Sequence, residues 1–212
     1  MAHDENDAVS VVRRGYDQLS IRYRSDDEDP EPYRSWVDEL LRRLSPSSRI
    51  LDLGCGNGVP VARRLIDAHH AVTGIDFSER QIQRALQLVP EGEFICADMT
   101  CYDFGRARFD AVIAFYSLIH VPIARQPSVI ANISGALVEN GLLLATVGWD
   151  AWSGTDPDWL GSGVEMWWSH ADRATYDHWL QLAGFDVTEV TFVPEGSSGH
   201  ALFWARRRPR GT

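Results

Sequence analysis

Apolar positions along the 212-residue chain change their period several times. Val9, Val12, Tyr16, Leu19 and Tyr23 recur at helical spacing and predict an amphipathic helix over 8–23. The acidic residues before it, 1–9, are expected to be disordered. A second stripe, Trp36, Val37, Leu40, Leu41 and Leu44, predicts a helix over 32–44, after the acidic loop Ser25-Asp26-Asp27-Glu28-Asp29-Pro30. From there short apolar runs at 50–53, 71–75, 93–97, 110–116 and 142–147 alternate with helical patterns at 59–68, 78–89 and 126–137, the last stopping at Asn140-Gly141. Such alternation predicts a parallel sheet with helices on its faces. Residues 148–169 show no period and read as an irregular insertion. A helix over 172–183 ends at Gly184, and strands at 185–193 and 200–206, joined by Pro194-Glu195-Gly196-Ser197-Ser198-Gly199, predict a closing antiparallel hairpin.

The most informative stretch is Ile50-Leu51-Asp52-Leu53-Gly54-Cys55-Gly56-Asn57-Gly58. A buried strand runs into three alternating glycines and then a helix, a turn that lets a ligand lie against the main chain. The next strand ends in Asp76, 22 residues after Gly54. At about that spacing an acidic side chain reaches ribose hydroxyls in a βαβ unit, so an adenosine-bearing cofactor is expected. Dinucleotide folds carry G-x-G-x-x-G, whereas the order here is Gly54-x-Gly56-x-Gly58 with Asp52 just ahead. A carboxylate there repels a diphosphate but can receive an ammonium group, directly or through water.

These residues resemble the class I methyltransferases that use S-adenosyl-L-methionine (SAM) and release S-adenosyl-L-homocysteine (SAH). The glycine stretch matches that family's first motif, Val72-Thr73-Gly74-Ile75-Asp76-Phe77-Ser78 its second strand, Ala97-Asp98-Met99 its adenine-contact segment, and Phe109-Asp110-Ala111-Val112-Ile113-Ala114-Phe115 its fourth strand. The resemblance implies a Rossmann-like α/β fold. Its sheet has seven mostly parallel strands in the order 3-2-1-4-5-7-6, the last antiparallel, with helices on both faces and an N-terminal helical cap. One domain is expected, divided into a cap at 1–46, a cofactor-binding core at 47–147, a substrate-covering insertion at 148–170 and a C-terminal helix and hairpin at 171–212. The resemblance further implies that Gly54, Cys55 and Gly56 line the methionine moiety, with Asp52 nearby. Asp76 would clamp the ribose. Phe77, Ala97, Asp98 and Met99 would enclose the adenine. Phe115 would sit at the ligand-binding edge, and Tyr16 and Tyr23 on a helix folded over the cofactor. Asp76 and Asp98 also read as plain turn residues. His69 stands where the family often has a helix-ending glycine, so His69-His70 reads as a cap and turn, and no metal is expected.

Composition narrows the class. A net charge of −10 disfavours a polyanion partner, and no Asp-Pro-Pro-Tyr or Asn-Pro-Pro-Tyr follows the fourth strand, so no nucleic-acid substrate is expected. The basic tail Arg206-Arg207-Arg208-Pro209-Arg210 reads as a solvated end. No apolar run approaches a membrane span, and the start lacks a signal-peptide pattern. Three cysteines, Cys55, Cys96 and Cys101, suit reduced thiols in the cytoplasm.

Five of the eight tryptophans, Trp149, Trp152, Trp159, Trp167 and Trp168, fall in the insertion, interleaved with Asp150, Asp156, Asp158 and Glu165. Trp149, Trp152, Trp167 and Trp168, with Tyr16, are expected to contact a small-molecule acceptor, either a flat aromatic or an organic cation. The alternative is that they glue an irregular loop to the sheet. His120, His170 and Tyr116 are the candidates for proton removal, which favours an oxygen acceptor over nitrogen, sulfur or carbon. A monomer or homodimer is expected. The rivals are a SAM-binding scaffold without activity, a SAM-using cyclase and, against the glycine order, an NAD-dependent oxidoreductase.

Overall fold

The computed structural model describes residues 5–28, 30–196 and 198–209. Its strands are β1 (Arg49–Leu53), β2 (Ala71–Asp76), β3 (Glu93–Cys96), β4 (Phe109–Ala114) and β5 (Leu137–Gly148), then a hairpin of β6 (Trp152–Trp159) and β7 (Val164–His170), then β8 (Phe185–Glu195) and β9 (Ser198–Arg207). The helices are α1 (Glu5–Tyr23), α2 (Tyr33–Arg43), α3 (Val61–Asp67), α4 (Glu79–Leu88), α5 (Gln126–Ala136) and α6 (Arg173–Leu182). The main sheet runs β3-β2-β1-β4-β5-β9-β8. With the β6–β7 hairpin set aside, this is the expected 3-2-1-4-5-7-6. Only β9 runs against its neighbours β5 and β8; the other pairs are parallel.

The central strands read as continuous apolar runs because both their faces are covered. Ile50, Val72, Ile113, Leu144 and Trp204 face a layer built from Trp36, Val37 and Leu40 of α2, Val61 and Leu65 of α3, and Ile82 and Ala85 of α4. Leu51, Leu53, Val112, Leu143 and Phe203 face the opposite layer, where Val129, Ile130 and Ile133 of α5 meet Tyr176 and Leu180 of α6. Each fully buried Val, Leu, Ile or Phe among them stabilises the fold by about 1.5–3 kcal/mol. Sequence signals set the helix ends. Ser78 caps α4 by accepting from the Gln81 N–H, Asp172 caps α6 by accepting from the Thr175 N–H, and His69 takes a left-handed φ of 67° after α3. Among the described residues no helix is long and apolar enough to cross a membrane.

Three expectations are corrected. Residues 5–9 are not disordered but form the first turn of α1, where Ala8 is buried; residues 1–4 lie outside the described residues. Asn140-Gly141 does not stop a helix. α5 ends at Ala136, and Asn140 takes its φ of 61° inside β5, near a bulge against Phe109 and Ala111. Residues 148–169 are not irregular: Trp152 to Trp159 pair antiparallel with Val164 to His170. Their period is masked because Gly154, Asp156 and Pro157 stand where strand formers are usual and a register shift falls between Asp156 and Trp159. One face of this hairpin, Trp159 and Met166, packs on Val12 of α1.

Candidate functional site

Open α/β sheets bind ligands at the carboxyl ends of the strands beside the point where strand order reverses, here between β1 and β4. A cleft of about 670 Å³ lies there. Gly54 turns the chain off β1 with a φ of 74° and donates its N–H to the Ile75 carbonyl at 2.7 Å. Any Cβ at Gly54 would stand 2.3 Å from the Ser117 Cβ, so only glycine lets the β1 and β4 turns approach this closely.

Asp76 ends β2 against this turn. Its Oδ2 accepts from the Gly56 N–H at 3.0 Å and its Oδ1 from the Ser78 N–H at 2.9 Å. The two backbone donors fix the carboxylate and leave lone pairs on both oxygens for ribose hydroxyls. Burial pushes its pKa up to about 6, against the lowering effect of the two N–H groups. Phe77, Ala97, Asp98 and Met99 line the same cleft, as do Tyr16, Tyr23 and Phe115. Asp98 also makes the plain turn, its Oδ1 accepting from the Thr100 N–H at 2.8 Å.

A second compartment of about 430 Å³ adjoins it past Gly54 and Gly56. Asp52 forms its floor and is buried, with an Oδ2 that has no hydrogen-bond partner among the described residues. Burial, and next the charge of Asp76, push its pKa up to about 7. A buried carboxylate oxygen left without a donor is costly, so the site fits an ammonium group placed against it. Cys55 also borders this compartment, but its Sγ lies against Gly74 and its buried thiol is held far above the usual range. Arg24 and Tyr33 complete the wall.

A third space, an open chamber of about 710 Å³ counted with the solvent space at its mouth, lies beyond Tyr16, Tyr23, Tyr116 and His120. Trp159 and Trp168 of the β6–β7 hairpin and Tyr33 of α2 add further rings. Trp159 lies 5.2 Å from Tyr16 and 5.4 Å from Tyr23, and His120 5.7 Å from Trp168, between ring centres. Glu195 and His200 close the far side, joined from Nε2 to the carboxylate at 2.8 Å.

His120 sits in the wall between cleft and chamber. Its Nδ1 is 2.8 Å from the Trp167 carbonyl, which can only accept, so Nδ1 carries the hydrogen. Its Nε2 therefore accepts from the Tyr16 hydroxyl at 2.9 Å. Burial pulls its pKa down to about 4. Tyr116 borders both spaces at a left-handed φ of 52°, held by its N–H to Thr146 Oγ1. His170 lines neither space. It packs 6.1 Å from Trp152 and from His200, against Gly148. Trp149 stacks edge-on to Phe192 at 4.9 Å, and Trp152 is 48% exposed. Trp167 contributes its carbonyl, while its ring packs on the α1–hairpin cluster. Of the four tryptophans expected at the acceptor, the structure thus brings Trp168 to the chamber, and it adds Trp159.

Arg24, Tyr33, Glu195 and His200 were not anticipated. Arg24 and Tyr33 flank a loop whose charge masks it as a solvated surface. Glu195 and His200 stand five residues apart on β8 and β9, a spacing that the hairpin register brings together.

Residues 50–141 match the family model described as "Methyltransferase domain". The 27-O-demethylrifamycin SV methyltransferase of Amycolatopsis mediterranei (strain S699) is 34% identical over 48% of this chain and 41% of its own length. The O-methyltransferase cnsE of Penicillium expansum is 33% identical over 56% and 47%. The chain thus spans about half the length, or less, of these curated relatives. Among solved structures, the 1,6-didemethyltoxoflavin-N1-methyltransferase of Burkholderia thailandensis, with bound 1,6-didemethyltoxoflavin and S-adenosylhomocysteine, superposes with a TM-score of 0.74 at 17% identity, covering 99% of this chain and 92% of that one. The [4+2]-cyclase SpnF gives 0.73 at 20% identity, covering 95% and 97%.

Proposed function

We propose that this chain is a class I SAM-dependent methyltransferase that moves a methyl group from SAM to a planar aromatic small molecule; the methyltransferase-domain match at 50–141 and the fold support the reading. The observation that carries the reading is the pair of buried carboxylates on either side of the glycine turn. One, Asp76, is oriented by backbone donors; the other, Asp52, has an oxygen lacking any partner among the described residues. Asp76 holds the ribose hydroxyls, Asp52 draws the ammonium, and Phe77, Ala97, Asp98 and Met99 enclose the adenine. When bound, SAM supplies an electrophilic methyl on a sulfonium. Tyr16, Tyr23 and Tyr116, shared by cleft and chamber, align an acceptor with that methyl and keep water out.

A flat aromatic acceptor is favoured over an organic cation. Asp150, Asp156, Asp158 and Glu165 do not line the chamber, its one carboxylate among the described residues, Glu195, is engaged by His200, and the Arg24 guanidinium already lies 4.6 Å over the Tyr33 ring. Oxygen is favoured as the methylated atom, because the Glu195–His200 pair offers a proton acceptor for a hydroxyl. His120, with both ring nitrogens engaged, holds the wall in place. Free thiols at Cys55, Cys96 and Cys101 suit a cytoplasmic setting.

Titration calorimetry with SAH tests the cofactor, with a Kd in the micromolar range expected; no binding at ~100 µM overturns the reading. Incubation with SAM and a panel of planar phenols and of organic cations, read by mass spectrometry for a gain of one methylene, tests the acceptor. Methylation of the cations alone overturns that half. The likeness to SpnF keeps a cyclase as the second reading; it predicts products of unchanged mass.

A further inference from the structure

We propose that Arg84 is a positioning residue: it holds the end of α1 and the turn at 24–26 over the glycine loop, and so builds the wall shared by cofactor cleft and acceptor chamber. The inference rests on the methyltransferase reading above.

Arg84 lies on α4 and is 5% exposed. A guanidinium has five donors and no acceptor, so burying it requires several matched oxygens. Nη1 donates to the Ser20 hydroxyl at 2.7 Å, Nη2 to the Arg24 carbonyl at 2.8 Å, and Nε to Asp26 Oδ1 at 3.1 Å, with a second contact from Nη2 to that carboxylate. Ser20 passes its own hydrogen to Gln81 Oε1 at 2.7 Å, one turn back along α4. Among the described residues, all the guanidinium's partners therefore belong to the last turn of α1 or the residues just after it. From the other side, buried Asn57 in the glycine loop donates from Nδ2 to the Ser25 carbonyl at 3.3 Å. The turn is pinned between α4 and the glycine loop.

What this clasp carries is the boundary of the site. Tyr23 borders all three spaces, and Arg24 borders both the Asp52 compartment and the chamber. Arg84 grips the main chain at Arg24, the residue whose side chain reaches both of the latter. The turn itself is rich in exposed acids, Asp26, Asp27 and Glu28, whose mutual repulsion favours lifting it away once the guanidinium is gone. Lysine presents its donors from one point and cannot serve a hydroxyl, a carbonyl and a carboxylate spread along the plane of a fork.

The test is titration calorimetry with SAH on the wild type, Arg84→Met, Arg84→Lys, Asp26→Ala and the double variant Arg84→Met/Asp26→Ala, beside the melting temperature of each without ligand. Arg84→Met is expected to weaken SAH about tenfold, and Arg84→Lys nearly as much. Asp26→Ala is expected to cost about threefold and to add almost nothing on top of Arg84→Met, because both act through one clasp. A residue that merely tied α1 to α4 would lower the melting temperature and leave the SAH Kd of the folded protein within about twofold. That result overturns the proposal. If Arg84→Met does not fold, Asp26→Ala decides, since its side chain is 60% exposed; an unchanged Kd there overturns the proposal as well. A wild type that fails to bind SAH brings down the cofactor reading itself, whereas binding that is equal in all variants removes only the clasp.

Discussion

Asp52→Asn should raise the stability of the ligand-free protein and weaken the cofactor at the same time. The folded carboxyl has a pKa of about 7, against an ordinary value of 3.8, because it is buried and faces Asp76. A raised carboxyl pKa means that the folded state holds its proton more tightly than the unfolded chain. The resulting penalty is absent below pH 4, grows as pH rises from about 4 to about 7, and is full at pH 8. About three pH units correspond to about 4 kcal/mol. The buried amide that replaces the carboxylate retains a cost of about 1–3 kcal/mol for its own unmet hydrogen bonds. A net gain of about 1–3 kcal/mol remains, or about 2–12 °C for a chain of this size. Thermal scans at pH 5.5 and 8.0 check it: the variant's advantage should be larger at pH 8.0. Calorimetry with SAH should show the opposite sign. Losing a charge-assisted bond of about 1.5–3 kcal/mol weakens binding about 10- to 100-fold. An Asp52→Asn protein that melts lower than wild type at pH 8.0, or that binds SAH equally well, refutes the assignment of Asp52 as an unmet acceptor.

Gly54→Ala should cost more than about 2 kcal/mol, since it adds a clash with Ser117 to a left-handed backbone, and differential scanning calorimetry should show a drop of several degrees. SAH affinity should fall as pH drops from 8 toward 5, because Asp52 and Asp76, with pKa values of about 7 and 6, take up the protons that binding must displace; a flat profile contradicts this. His120 has a folded pKa of about 4, below its unfolded value of 6.5, so the stability tied to its neutral form is present above pH 6.5 and is lost as pH falls toward 4, by about 3 kcal/mol; in His120→Asn acid melts this loss should be missing. Trp168→Ala should weaken an aromatic acceptor about tenfold while Trp149→Ala leaves it unchanged, read by tryptophan quenching in SAH-saturated protein.

The sheet was legible in the chain because each central strand is buried on both faces and is cut off by a glycine, a cap or a proline. The edge proposed to hold the cofactor was legible for a related reason. A glycine turn and an acid at the end of the next strand are fixed by backbone geometry, and a backbone constraint leaves its mark at particular positions, as at Gly54 and Asp76. The acceptor side left no such mark. The first strand of the β6–β7 hairpin is rich in Asp, Gly and Pro, so neither alternation nor strand propensity reveals the pairing. Which tryptophans face the chamber depends on the register of that hairpin against α1, a tertiary fact that spacing does not encode. His120 lies in the wall of the site, but what its ring can do is set by Tyr16 and the Trp167 carbonyl, 104 and 47 residues away.

One phenol ring, that of Tyr23, is common property of every compartment in the site. Filling any of them pushes on the partition that bounds the others, so turnover should be sequential rather than ping-pong. The nucleoside should board first, since its seat lies deepest against the strands and its arrival steadies the ring. The methylated product should depart ahead of the spent thioether. Initial-rate lines that intersect, with SAH competing only against SAM, are the kinetic signature of that single shared wall.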